Sequence, residues 1–238
     1  MSEHTIKAFD TELQELVRKV AEMGGLAERQ ITDSVAALIR RDTAQAERVM
    51  AIDTNIDALQ REIEERGILI IARRQPMAVD LREVVGALRV SNDLERIGDL
   101  AKNIAKRVVV LDGEFRPNKV IRGVEHMTDL VLTQLKQVLD SYARHDVAMA
   151  IEVWRSDEAV DAVNNSLFRE LLTYMMEDPR NITFCTHLLF CAKNIERMGD
   201  HATNIAETVY YIIEGRAIAE QRPKGDTTSF ASMLAEKI

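Results

Sequence analysis

Proline and glycine are scarce in this chain, 4 and 10 among 238 residues, and aromatic side chains make up only 5%. So few turn residues, with no run of alternating Val, Ile or Thr bounded by turn signals, exclude a sheet protein and predict an all-α fold. Two cysteines exclude a disulfide framework. Cys185 and Cys191 stand six apart, which is neither a CxxC nor a zinc spacing, so the expectation is two buried thiols in a reducing compartment. No apolar run approaches membrane-spanning length, the longest being Gly67 to Ala72. An excess of positive charge is also missing. With a formal net charge of −8 and only isolated pairs such as Arg40-Arg41 and Arg73-Arg74, the chain lacks the basic face that duplex DNA requires, and no nucleic-acid partner is expected. Met1-Ser2-Glu3-His4 offers neither a basic nor an apolar leader segment, so the expected location is cytoplasmic.

What the chain does have is hydrophobic residues at 46%, enough to bury a core, spaced at threes and fours. Val49, Ile52, Ile56, Leu59 and Ile63 form one such stripe, and Val84, Leu88, Leu94, Gly98, Ala101 and Ala105 belong to another. Pro76 and Pro179 interrupt long helical patterns, Asp112 to Asn118 breaks the chain near its middle, and Pro223 with Gly225 is read as closing the last helix.

A repeat underlies this punctuation. Shifted by 104, Arg40 to Leu59 aligns with Arg144 to Val163 and 8 of the 20 positions are identical, among them Asp42/Asp146, Asp53/Asp157 and Asp57/Asp161. Shifted by 101, Glu95-Arg96-Ile97-Gly98-Asp99 meets Glu196-Arg197-Met198-Gly199-Asp200. Each copy reads as a long helix, a turn at Asp42 or Asp146, a second helix ending before Pro76 or Pro179, and a third carrying Glu-Arg-x-Gly-Asp. Short connections make these antiparallel, predicting two tandem three-helix bundles over 1–112 and 118–214. The remainder, 215–238, is expected to be mobile, with Phe230, Met233 and Leu234 forming a short docking turn.

Like charges four apart on a helix repel by a few tenths of a kcal/mol. Five carboxylate pairs in the chain have that spacing, and four sit at repeat-matched places: Asp53/Asp57, Glu95/Asp99, Asp157/Asp161 and Glu196/Asp200. Each bundle thus keeps one acidic pair on its second helix and one on its third, which points to a cation site. A wheel at about 100° per residue sets Leu94, Gly98, Ala101, Ile104 and Ala105 opposite Asp99 and Asn103, predicting that the third-helix carboxylates lie on the bundle surface. Oxygen donors without Cys or His suit Mg, Mn, Ca or Fe better than structural zinc. His201 follows Asp200 but Leu100 replaces it in the first copy, so His201 is read as a surface residue. Gly98 and Gly199, on the apolar sector, are read as points of close helix approach. Arg96 and Arg197 either pair with the acids or lie along the surface.

The duplicated Glu-Arg-x-Gly-Asp helices, the Asp-xxx-Asp helices and Arg74-Gln75-Pro76-Met77-Ala78-Val79-Asp80-Leu81-Arg82 together resemble the bacterial PhoU family, from about Phe9 to Ile213. The second copy departs from the last of these, reading Asp178-Pro179-Arg180-Asn181-Ile182-Thr183, which confines any role of Asp80 or Arg82 to the first half. The resemblance implies a negative regulator of the phosphate-starvation response and of phosphate uptake. It implies as partners the ATPase subunit of a phosphate ABC transporter and the sensor histidine kinase of a two-component system, a homodimer, and membrane contact only through those partners. It also implies that Asp53, Asp57, Glu95 and Asp99, then Asp157, Asp161, Glu196 and Asp200, bind metal: iron clusters in some members, other divalent ions elsewhere, leaving Fe, Mn, Mg or Zn. Two competing readings are a di-iron carboxylate oxidase and a metal-free helical scaffold. The oxidase normally needs Glu-x-x-His on two helices, and the chain has no Glu followed three places later by His, so the expectation is that the protein is not an enzyme.

Overall fold

In a computed structural model, residues 3–111, 118–220 and Arg222 are described. The first bundle comprises α1 (Glu3–Arg40), α2 (Thr43–Arg74) and α3 (Val79–Val110). The second comprises α4 (Asn118–Arg144), α5 (Val147–Arg155), α6 (Asp157–Glu177) and α7 (Ile182–Glu214), with a 3-10 turn at Pro179–Asn181. No strand occurs among the described residues, and no helix there is long and apolar enough to cross a membrane. The expected docking turn at Phe230, Met233 and Leu234, and Gly113 to Pro117, lie outside the described residues.

The repeat-matched turns are built alike. Arg41 (φ 56°) and His145 (φ 54°) end α1 and α4 in the left-handed region, where a side chain costs about 1–2 kcal/mol. The next N–H closes the helix, Asp42 N donating to Ala37 O and Asp146 N to Ser141 O, each at 3.0 Å. The same aspartates cap the following helix, accepting from Gln45 N (2.8 Å) and Met149 N (3.1 Å). Both strained residues then reach across to the other bundle: Arg41 covers the Phe184 ring at 5.1 Å, and His145 Nε2 lies 2.7 Å from a Glu83 carboxylate oxygen.

Glu83 and Phe184 are themselves 101 apart, so these two contacts are one contact repeated under a two-fold relation between bundles. The packing follows the same rule, α1 meeting α4 and α3 meeting α7 along an extensive antiparallel seam. At one end Arg82 Nε donates to Ile212 O (2.8 Å), and a Cβ on Gly86 would fall 2.3 Å from Ile212. At the other, Arg107 stacks 4.2 Å from the Phe190 ring centroid. Arg82, a residue of the first half, thus serves the C-terminus of α7 in the second. His201, read as a surface residue, joins this seam instead, its Nδ1 2.8 Å from Asp93.

Two expectations about helix ends are corrected. The second helix of the second copy is not continuous: Ser156 stands where the first copy has Ile52, and its N–H donates to both Glu152 O and Val153 O at 3.1 Å while its hydroxyl donates to Val153 O. That tightened turn separates α5 from α6 and makes Asp157 the first residue of α6. The helix expected to close at Pro223, α7, ends at Glu214, because Gly215 (φ 71°) takes the left-handed cap and donates to Tyr211 O.

Cys185 and Cys191 are fully buried, and burial pushes the Cys191 thiol up to about 12. Both should therefore resist an aromatic disulfide reagent in native protein at pH 8 and react only as fast as the bundle opens. Prompt labelling of either would show that the buried face of α7 is open.

Candidate carboxylate clusters

In the first bundle the structure brings all four acidic residues of the motif into one electrostatic neighbourhood. Asp53, on α2, is 3% exposed. Its Oδ1 accepts from Gln30 Nε2 of α1 at 3.0 Å, and its Oδ2 accepts from Lys102 Nζ of α3. Lys102 also lies 3.6 Å from Asp99 Oδ1. The Asp53 hydrogen bond, followed by the charges of Asp53, Asp99 and Asp57, holds the Lys102 ammonium above its ordinary pKa. Glu95 is pushed upward, first by burial and then by the Asp99 and Asp57 charges, with Arg96 offsetting part of this. Arg96 lies 3.5 Å from Glu95 and 3.9 Å from Asp99, so of the two readings for that residue, pairing with the acids holds.

The second cluster departs from its copy. Thr203 replaces Lys102 at the matched position, its hydroxyl within 3.4 Å of Asp157 Oδ1. The positive charge comes instead from beyond α7. Arg222 donates through Nε to Asp157 Oδ2 at 3.1 Å and through Nη2 to Asp200 Oδ1 at 2.6 Å, and Nη2 lies 3.0 Å from Asp157 Oδ1. Burial opposes its charge, but the bond to Asp157 and the carboxylates of Asp157, Asp200 and Glu207 outweigh that and hold its pKa above the ordinary value. Glu196 is tied one turn back, accepting from Lys193 Nζ at 2.8 Å, and Asp161 is buried on α6.

The surface placement predicted for the third-helix acids fails for Glu196, which is buried. Glu95, Asp99 and Asp200 keep side-chain exposures of 16%, 40% and 31%, whereas the second-helix acids Asp53, Asp157 and Asp161 are buried. A wheel of the third helix says nothing of the second. On α2, Asp53 falls four after Val49 and three before Ile56, in the buried stripe, and Asp157 sits likewise between Val153 and Val160.

Two further residues belong to the clusters and are legible in the repeat. Gln30 and Gln134, 104 apart, are buried on α1 and α4. Gln30 Nε2 reaches Asp53 and Gln134 Nε2 donates to Ser156 Oγ at 3.0 Å, and neither amide oxygen has a hydrogen-bond partner among the described residues. Those oxygens face Gly98 and Gly199: a Cβ there would lie 3.0 Å from Gln30 Oε1 and 3.2 Å from Gln134 Oε1. The mid-helix glycines are thus points of close approach, and in the first bundle Gly98 also admits Ile56.

Carboxylates beside an amide are hard-oxygen donors, fitting a divalent cation in kind. In place of one stand an ammonium and a guanidinium. Among the described residues no three His, Cys, Asp or Glu side chains converge as a ready metal cage. A cation coordinated by Asp53 or Asp157 would compete with Lys102 or Arg222 for the same oxygens.

The PhoU domain model matches the chain twice, at residues 20–108 and 124–209, one match to each bundle. The chain is similar to the "phosphate-specific transport system accessory protein PhoU homolog" of Rhizobium meliloti (strain 1021), 57% identical over 226 residues that cover 95% of each protein. Among solved structures, it resembles PhoU from Pseudomonas aeruginosa with a TM-score of 0.83 at 40% identity, covering 87% of this chain and 100% of that one. It also resembles the phosphate transport system regulatory protein PhoU from Streptococcus pneumoniae, with a TM-score of 0.83 at 29% identity, covering 89% and 100%.

A carboxyl whose pKa is raised by folding weakens the fold above that pKa, and the penalty disappears as pH falls through it toward the ordinary value. Glu95→Gln should accordingly stabilise the metal-free protein at pH 7 by on the order of 0.5 kcal/mol in urea unfolding. The gain should vanish near the ordinary value of 4.5. A variant less stable than wild type at pH 7 would show that Glu95 is held by a favourable partner.

Proposed function

The chain belongs to the PhoU family, and on that premise we propose that it is a cytoplasmic, non-catalytic accessory regulator of a phosphate-specific transport system. It restrains phosphate-starvation signalling when phosphate is plentiful, standing between the ATPase subunit of the transporter and a sensor histidine kinase. It works as a homodimer and meets the membrane only through those partners. The observation that carries this reading is the likeness to transport-system accessory proteins across both bundles, at up to 57% identity over nearly the whole chain.

In the same reading each bundle holds a metal ion, Fe, Mn, Mg or Zn, in its carboxylate cluster. Asp53, Asp57, Glu95 and Asp99 are the ligands of the first, and Asp157, Asp161, Glu196 and Asp200 those of the second. Facing carboxylates on two packed helices support this, because a cation between them offsets both the burial and the Asp99 and Asp57 charges that raise the Glu95 pKa. The ion supplies a rigid charge bridge between the second and third helices of each bundle, and Gln30 orients Asp53 toward it. The absence of Glu-x-x-His tells against the alternative of a carboxylate-bridged oxidase.

Deleting the gene should derepress a phosphate-starvation promoter in phosphate-rich medium. Wild-type protein should restore repression, and the Asp53→Ala/Asp57→Ala/Glu95→Ala/Asp99→Ala variant, confirmed as folded, should not. A reporter unchanged by the deletion would refute the regulatory reading, and full complementation by the variant would refute the role of the first cluster in it.

A further inference from the structure

The two clusters obtain their positive charge in different ways. In the first, Lys102 stands on α3, the same helix as Glu95 and Asp99, and moves with them. In the second, α7 offers neutral Thr203 at that place, and the charge comes from Arg222, eight residues beyond the end of the helix. Arg222 is only 14% exposed and engages both carboxylate oxygens of Asp157 and one of Asp200, the two acids on α6 and α7 that a bridging cation must also use.

A guanidinium donates at every polar position and has no lone pair to offer a metal. It therefore cannot share these oxygens with a divalent ion, and the two positive charges repel at that distance. We propose that Arg222 is a tethered competitor for the cation of the second cluster, so that cation binding there and release of the segment after α7 are a single event. The first cluster lacks this coupling. This inference rests on the cation-binding reading above and adds to it a regulated difference between the two sites.

The segment that would be released is lightly held. After Gly215 it runs without helix through residue 220, and Ile218 is the residue there that packs against the core. Competition of this kind raises the apparent dissociation constant by the reciprocal of the fraction with the arginine displaced. The protein also carries its own reporter. Trp154 is the single tryptophan; it is 2% exposed, and its Nε1 donates to Glu207 Oε1 at 3.0 Å. Glu207 is one of the carboxylates whose charge acts on Arg222, so displacing the guanidinium changes the field at the indole.

The test uses full-length protein in an Asp53→Asn/Asp99→Asn background, which leaves only the second cluster intact. MgCl2 or MnCl2 is titrated by calorimetry, and tryptophan emission is followed with Mg. Arg222→Ala should bind at least tenfold more tightly than the parent, with Arg222→Lys in between. In the parent, the ion should shift tryptophan emission and speed hydrogen exchange at residues 216–220. Equal affinity of the parent and Arg222→Ala, or unchanged exchange on binding, would overturn the competition while leaving cation binding in place. Heat of binding absent from every variant, and from the unmodified protein, would overturn the cation reading and the competition with it.

Discussion

A carboxylate removed from water costs several kcal/mol unless positive charge and hydrogen bonds replace its hydration. This chain buries Asp53, Asp157, Asp161 and Glu196. Around Asp53 and Asp157 that cost dictates the local architecture. Gln30 and Lys102 converge on Asp53 from the two other helices of its bundle, and Thr203 and Arg222 converge on Asp157. Gly98 and Gly199 clear the backbone for the glutamine amides. Residues that look unrelated in sequence, an amide on the first helix and a glycine on the third, are thus consequences of one acid on the second.

The fold multiplies this unit by two and turns it about a pseudo-two-fold axis. Repeat-matched helices meet their counterparts, α1 with α4 and α3 with α7, and the turn residues Arg41 and His145 reach over to positions that are themselves repeat-matched. Symmetry of packing makes one chemical asymmetry in the clusters conspicuous. Threonine stands at position 203 where the first copy has Lys102, and Arg222, beyond α7, supplies the positive charge. Under the competition proposed for Arg222, two similar clusters with different positive partners set two different cation thresholds on one scaffold.

The helical class, the duplication and the helix ends near Arg40, Pro76 and Arg144 were readable because they follow from periodicity and turn chemistry, which are local. The acid pairs were readable because like charges at four-residue spacing are disfavoured and yet recur. Their burial was not, because the wheel of α3 cannot see that α2 covers its flank. The stripe of α2, with Asp53 between Val49 and Ile56, held that information. The break at Ser156 was hidden because one serine in a helical pattern is ordinarily tolerated, and only the incoming Gln134 amide and the doubled carbonyl acceptance reveal the turn. Arg222 left no trace in any pattern: its partners are 65 and 22 residues away and nothing periodic links them.

The central claim is that Lys102 and Arg222 hold the places of cations between facing carboxylates. Anomalous diffraction at the manganese edge, from crystals of the full chain grown with and without MnCl2, tests it directly. The account predicts manganese peaks among Asp53, Asp57, Glu95 and Asp99 and among Asp157, Asp161, Glu196 and Asp200, with the Lys102 and Arg222 side chains turned out of both clusters. Crystals saturated with manganese in which both side chains keep their carboxylate partners, and no anomalous density lies between the helices, would contradict it.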